Sequence, residues 1–225
     1  MALVQGLKII GCAARLLIAA LVLAGATSWG ARAAERPVKL VAFGDSLTAG
    51  FGVSAQDAFP AKLERALRAK GYAVEVINAG VSGDTASAGL ERLDWSIPEG
   101  ADAAIVELGA NDALRGVDPA VTRRALDAIL TRLKAKGIAV LLAGMRAPPN
   151  MGQAYVAQFD AVFPDLAAAH RVPLYPFFLE GVAGQRALNQ ADGLHPLPAG
   201  VDVIVSGILP QVEALLASVA AKPRS

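Results

Sequence analysis

From residue 38 onward the chain alternates short apolar runs with longer amphipathic segments, and no other feature limits its possible folds so tightly. Residues 38–43, 74–78, 103–108, 138–143 and 172–175 are nearly continuous in Val, Ile, Leu and Ala. Such runs predict five buried strands, covered on both faces. Helical patterns fall between them, near residues 57–70, 84–94, 119–136 and 153–170, with a closing one near 198–219. The third is the clearest. Asp118 can cap it, Pro119 suits its first position, and Val121, Ala125, Ile129, Leu130 and Leu133 share one face before Gly137 ends it. Regular β-α alternation implies a parallel sheet with helices on both sides. The expected fold is α/β: a three-layer α/β/α sandwich, flavodoxin-like, with a five-stranded parallel sheet of order 2-1-3-4-5. Ligands in such a sheet sit beyond the carboxyl ends of the strands, where strands 1 and 3 diverge.

The first 33 residues have the pattern of a cleavable signal peptide. Lys8 and Arg15 make a positive start, residues 16–26 are apolar but too few to span a bilayer, and Ala31-Arg32-Ala33 offers a cleavage site. The expectation is a signal at 1–33, one domain at 34–225, and a periplasmic or secreted product without a stable membrane anchor. The whole chain carries 21 basic and 20 acidic side chains. Lys8, Arg15 and Arg32 leave with the signal and no acid does, so the remainder is weakly acidic. Without a basic cluster there is no electrostatic case for nucleic acid. Cys12 is the only cysteine and also leaves, which excludes a disulfide and a thiol nucleophile. No His/Cys/Asp grouping has metal-ligand spacing, so no metal or cofactor is expected, and the protein is read as a monomer.

The first strand ends in Gly44-Asp45-Ser46, a small polar turn with one hydroxyl. Near the other end, Asp192 and His195 hold an acid and an imidazole three residues apart. Two further polar clusters follow strands 2 and 3: Asn78-Ala79-Gly80-Val81-Ser82-Gly83 and Gly109-Ala110-Asn111-Asp112. Any one of these reads as an ordinary turn. Four on one predicted sheet edge, in compatible chemistry, read as a hydrolase site built on a serine. Of the two histidines, His170 closes a helix, where a cation is an ordinary structural feature, leaving His195 as the base.

The four blocks, in this order, resemble the SGNH hydrolase family, also called GDSL esterases, over about residues 39–213. Residues 109–116 and 144–150 are similar to its bacterial arylesterase and thioesterase/lysophospholipase members. The resemblance implies a small-molecule ester, thioester or lipid substrate, with catalysis by Ser46 as nucleophile, His195 as base and Asp192 as orienting acid. It also implies an oxyanion hole from the backbone N–H groups of Ser46 and Gly83 with the side-chain amide of Asn111. Asp45 and Asp112 are expected to bind backbone amides of their own turns, and Asp84 to begin the next helix.

Gly50-Phe51-Gly52-Val53-Ser54-Ala55 fits a dinucleotide glycine pattern, but the Ser46 turn separates it from the strand, which argues against that use. Ser46 is not in a G-x-S-x-G elbow either, because Thr48 takes the last place. Leu114, Met145, Arg146, Pro148 and Phe178, with Met151 and Phe177, are the expected substrate-side residues. Two rivals use the same scaffold: an O-acetylesterase of carbohydrates or cell wall, disfavoured by scarce aromatics, and an inactive binding module, disfavoured by the intact blocks.

Overall fold

The computed structural model describes residues 36–221, so the expected signal and Cys12 lie outside the described residues. The strands are β1 (Val38–Gly44), β2 (Val74–Gly80), β3 (Ala103–Glu107), β4 (Ala139–Ala143) and β5 (Leu174–Tyr175). They form one parallel sheet in the order β2-β1-β3-β4-β5, as the alternation predicts. The helices are α1 (Ser46–Ala49), α2 (Phe59–Ala69), α3 (Ala86–Ser96), α4 (Ala110–Leu114), α5 (Pro119–Ala135), α6 (Gln153–His170) and α7 (Pro198–Ala220). Helix α2 packs on α7, while α3 packs on α5 and α5 on α6, giving two helical layers around the sheet.

Burial follows position in the sheet. Every residue of β3 is buried, and β1 is buried except for Lys39. The edge strand β2 departs from the fully covered strand expected: only Val74 is buried along it. In α5, Asp118 caps through its carboxylate to the N–H of Ala120 at 2.8 Å. Val121 is only half-buried there, while Thr122 and Leu126 join the buried face. The hydroxyl of Thr122 is drawn inward by Asp112, to which it donates at 2.8 Å. Helix α7 is long and apolar enough to cross a membrane by length and composition alone. Nine of its residues, Ile204 and Ile208 among them, are buried against α2 and the sheet, which accounts for that character.

The register fixes where a site can form. Gly44 pairs with Gly80 and with Glu107, and Glu107 with Ala143, so four strands end level. The chain leaves β1 for β2 on one side and crosses back to β3 on the other. The loops after β1 and β3 therefore part above a shared edge, and the helices that follow them are single turns: α1 carries Ser46 and α4 carries Asn111.

Candidate active site

Helix α1 begins at once after β1. Asp45 caps it, its carboxylate accepting the Leu47 N–H at 3.0 Å, and Gly50 at φ 87° ends it. Gly44 is required by close approach, since a Cβ there would strike the Thr48 hydroxyl and both the carboxylate and backbone of Glu107. The turn thus presents the Ser46 hydroxyl at the sheet edge.

His195 lies 149 residues further on, and its Nε2 is 2.9 Å from Ser46 Oγ. Its Nδ1 is 2.7 Å from Asp192 Oδ2. Asp192 Oδ1 accepts the N–H groups of Leu194 and His195 at 2.9 and 3.1 Å. The ring hydrogen bond, then those backbone N–H groups, hold the Asp192 carboxyl down at about 2. It stays ionised, which keeps a proton on Nδ1 and leaves Nε2 free to accept one from the hydroxyl. Among the described residues nothing accepts the N–H of Ser46 or of Gly83. The Asn111 amide is differently placed. Its Nδ2 donates to Asp45 Oδ2 at 3.1 Å and to the Asp84 carbonyl at 3.0 Å, so both of its hydrogens are engaged. Two acceptors facing one amide fix which end is nitrogen.

Other acids play parts the sequence pattern did not foretell. Asp112 binds outside its own turn, accepting the Ala86 N–H at 2.8 Å and the Thr122 hydroxyl. Asp84 pairs with Arg92 instead of serving the next helix, which Thr85 caps. His170 sits where expected, at the end of α6, 2.7 Å from Asp127.

Glu107 went unremarked in the sequence, yet it lies fully buried beneath Ser46. Its Oε2 accepts from the Thr48 hydroxyl at 2.6 Å and the Asp45 N–H at 3.4 Å, and Oε1 has no partner among the described residues. Burial first, and the neighbouring Asp45 second, raise its carboxyl well above the ordinary range. Burial likewise pushes Asp45 up to about 6, against hydrogen bonds from Leu47 and Asn111 and the charge of His195 that lower it. A lone acid in an apolar strand was the available signal.

This pair has a consequence for stability. An acid whose folded value exceeds its unfolded one binds more protons when folded, so stability falls as pH rises between the two values. For Asp45 the window runs from 3.8 to about 6. The loss across it is on the order of 3 kcal/mol. Asp192, shifted the other way, acts below that window. Melting temperature should therefore decline from pH 4 to 7, and Asp45→Asn and Glu107→Gln should each flatten part of the decline, since Glu107 is raised in the same direction. A slope unchanged in Asp45→Asn would refute the assignment.

The hydroxyl opens on a cleft of about 520 Å³. Leu114, Met145, Arg146 and Pro148 line it as expected. Phe178 does not: it is fully buried and meets Phe59 edge-on at 5.0 Å, and Phe177 faces the cleft in its place. The chain enters a turn here, with the Glu180 N–H bonded to the Phe177 carbonyl, and the two rings part at its start, one to the cleft and one to the core. Met151 is also absent from the lining. Arg146 stacks on the Phe177 ring at 4.9 Å and lies 3.7 Å from Glu180.

Residues 42–203 match the model of the GDSL-like lipase/acylhydrolase family. The chain belongs to this family. It is 39% identical to esterase TesA of Pseudomonas aeruginosa over 79% of this chain and 89% of that one. It is 42% identical to thioesterase 1/protease 1/lysophospholipase L1 of Escherichia coli K12, over 70% of this chain and 74% of the relative. The crystal structure of AlinE4, an SGNH-hydrolase family esterase, superposes with a TM-score of 0.68 at 47% identity, covering 80% of this chain and 97% of that one. Membership makes this protein a carboxylic ester hydrolase. The fold gathers the polar turns after β1 and β3 and the Asp192–His195 segment on one edge.

Proposed function

We propose that this family member cleaves aryl and acyl esters, acyl thioesters and lysophospholipids by way of an acyl-enzyme on Ser46. The observation that carries the reading is the continuous hydrogen-bonded path Ser46–His195–Asp192 opening on an apolar cleft. Ser46 Oγ bonds to the acyl carbon while its proton passes to His195 Nε2. The bond to the leaving alcohol or thiol then breaks, and that group departs with the proton. Water repeats the sequence, releasing the acid and restoring Ser46. Asp192 holds the tautomer and balances the imidazolium. The N–H groups of Ser46 and Gly83 receive the oxyanion, and Asn111 joins them by turning one N–H away from Asp45 or the Asp84 carbonyl. No cofactor enters these steps.

Apolar walls favour acyl or aryl groups over sugars, which supports esterase chemistry over deacetylation of glycans. The leader-like residues 1–33 support export to the periplasm or medium, and a monomer without a membrane anchor suffices for this chemistry.

A panel of p-nitrophenyl esters of rising chain length, acyl thioesters and lysophospholipids tests the proposal, together with a fluorophosphonate label. Turnover of the apolar esters and labelling lost in Ser46→Ala are expected. Failure to turn over every member, or labelling that persists in Ser46→Ala, would overturn it.

A further inference from the structure

The loop that carries His195 is joined to the serine side by few contacts, and two of them involve residues that the reaction above does not use. Within the loop the hydrogen bonds are mostly local: Gln190 N–H to His195 O, Gly193 N–H to Gln190 O, and Leu197 N–H to Leu188 O, between 2.8 and 2.9 Å. The Asn189 amide donates to the nearby carbonyls of Val182 and Gln185. None of these fixes the imidazole relative to Ser46, which comes from a distant part of the chain.

Two contacts do. The Phe51 ring rests on the His195 ring, with centroids 4.5 Å apart and planes inclined by 40°. The Gln190 amide nitrogen donates to the Phe51 carbonyl at 2.8 Å and to the Pro196 carbonyl at 3.2 Å. It thus ties the residue that supports the ring to the residue that follows it. Gly52, at φ +74°, gives that amide room, for a Cβ there would collide with the Gln190 side chain. Phe51 is 51% exposed, so packing in the core does not account for its place, and the ring it touches is that of His195. The glycine pattern at 50–55, unsuited to a dinucleotide, is accounted for by this loop.

We propose that Phe51 and Gln190 form a clasp that positions His195 over Ser46, both being positioning residues for ester hydrolysis. The inference rests on the Ser46–His195 reading of the site. Phe51 braces one face of the imidazole so that Nε2 stays aimed at Oγ, and Gln190 holds Phe51 in place. A shift of an ångström in such a pair costs rate even where binding is untouched.

The test measures kcat and KM on a short p-nitrophenyl ester, with the rate of fluorophosphonate labelling, in the full chain and its variants. Phe51→Ala should lower kcat and the labelling rate about tenfold, with KM within about threefold of wild type. Phe51→Tyr should restore kcat to within about threefold, since a ring of the same width braces the imidazole again. Gln190→Ala should fall in kcat alone, and the double variant should be no worse than about the poorer single, as expected of two parts of one device. A rise in KM with kcat intact would make Phe51 a substrate contact and overturn the clasp. So would unchanged kcat in both singles, or losses that multiply in the double variant. Wild type and Ser46→Ala run alongside separate the two readings. Wild type that fails to label at Ser46 refutes the catalytic assignment, whereas normal labelling in wild type and Phe51→Ala alike refutes the clasp alone.

Discussion

Replacing Ser46 with alanine should lower kcat by roughly 10⁴- to 10⁶-fold and leave the melting temperature close to wild type. The loss follows from geometry. The hydroxyl is 2.9 Å from His195 Nε2, and no other hydroxyl or thiol accompanies it in the cleft lining. His195→Ala should cost nearly as much, because the hydroxyl then has no base to receive its proton. The two losses should not add. Each variant abolishes the same proton transfer, so Ser46→Ala/His195→Ala should match the single variants, leaving whatever the oxyanion donors supply unaided. Stability should survive, since Asp45 and Gly50 cap α1 without the serine side chain. Single-turnover kinetics and thermal melts on the three variants provide the check. Losses that multiply in the double variant, or a Ser46→Ala enzyme near wild-type turnover, would refute the assignment.

Much of this was legible in the chain, for identifiable reasons. Strand order follows from β-α alternation because parallel neighbours require a crossover of fixed hand, and few topologies meet that rule. The turns that bear Ser46 and Asn111 were legible because turns after parallel strands share one edge, and His195 because its segment precedes the last helix and can fold back over that edge. What escaped notice depends on side-chain direction and on contacts distant in sequence. Phe177 and Phe178 are neighbours with opposite fates, and nothing in the local pattern says which faces the cleft. Phe51 meets His195 across 144 positions, a contact no periodicity encodes. The edge strand β2 reads like a central one because its few inward residues are Val and Ile. Glu107 was detectable, since one acid in the apolar run 103–108 asks for a partner. That its partners are Thr48 and Asp45 depends on the register of β1 against β3.

Arg92 shows the same gap between pattern and contact, and its removal should cost a large share of the fold's stability. It sits on α3, 6% exposed, and reads in sequence as one more charge on an amphipathic helix. In the fold its guanidinium donates to the Gly44 carbonyl at 2.8 Å, the Ala79 carbonyl at 2.9 Å and the Ser96 hydroxyl at 3.0 Å. It also pairs with Asp84 and lies 4.3 Å from the centre of the Phe43 ring. One planar fork thus gathers the last turns of β1 and β2 and the loop that bears Gly83. Only arginine has both the donors and the flat face for this. Arg92→Ala leaves the largely covered Asp84 carboxylate without its partner and takes a donor from the Gly44 and Ala79 carbonyls, which costs about 3–5 kcal/mol. That is a large part of the roughly 5–15 kcal/mol that holds a typical domain together. Arg92→Lys should recover only part of it, since one ammonium cannot reach all four acceptors. Arg92→Met with Asp84→Asn should be less destabilised than Arg92→Ala, because no orphaned charge remains. Denaturant melts of these variants measure the cost, and kcat of the folded fraction measures its reach. Asp84 supplies a carbonyl that holds Asn111 and stands next to Gly83, so kcat should fall as well as stability. An Arg92→Ala protein within about 1 kcal/mol of wild type would mean that water takes over the guanidinium's bonds, and that the strand ends keep the site in order without it.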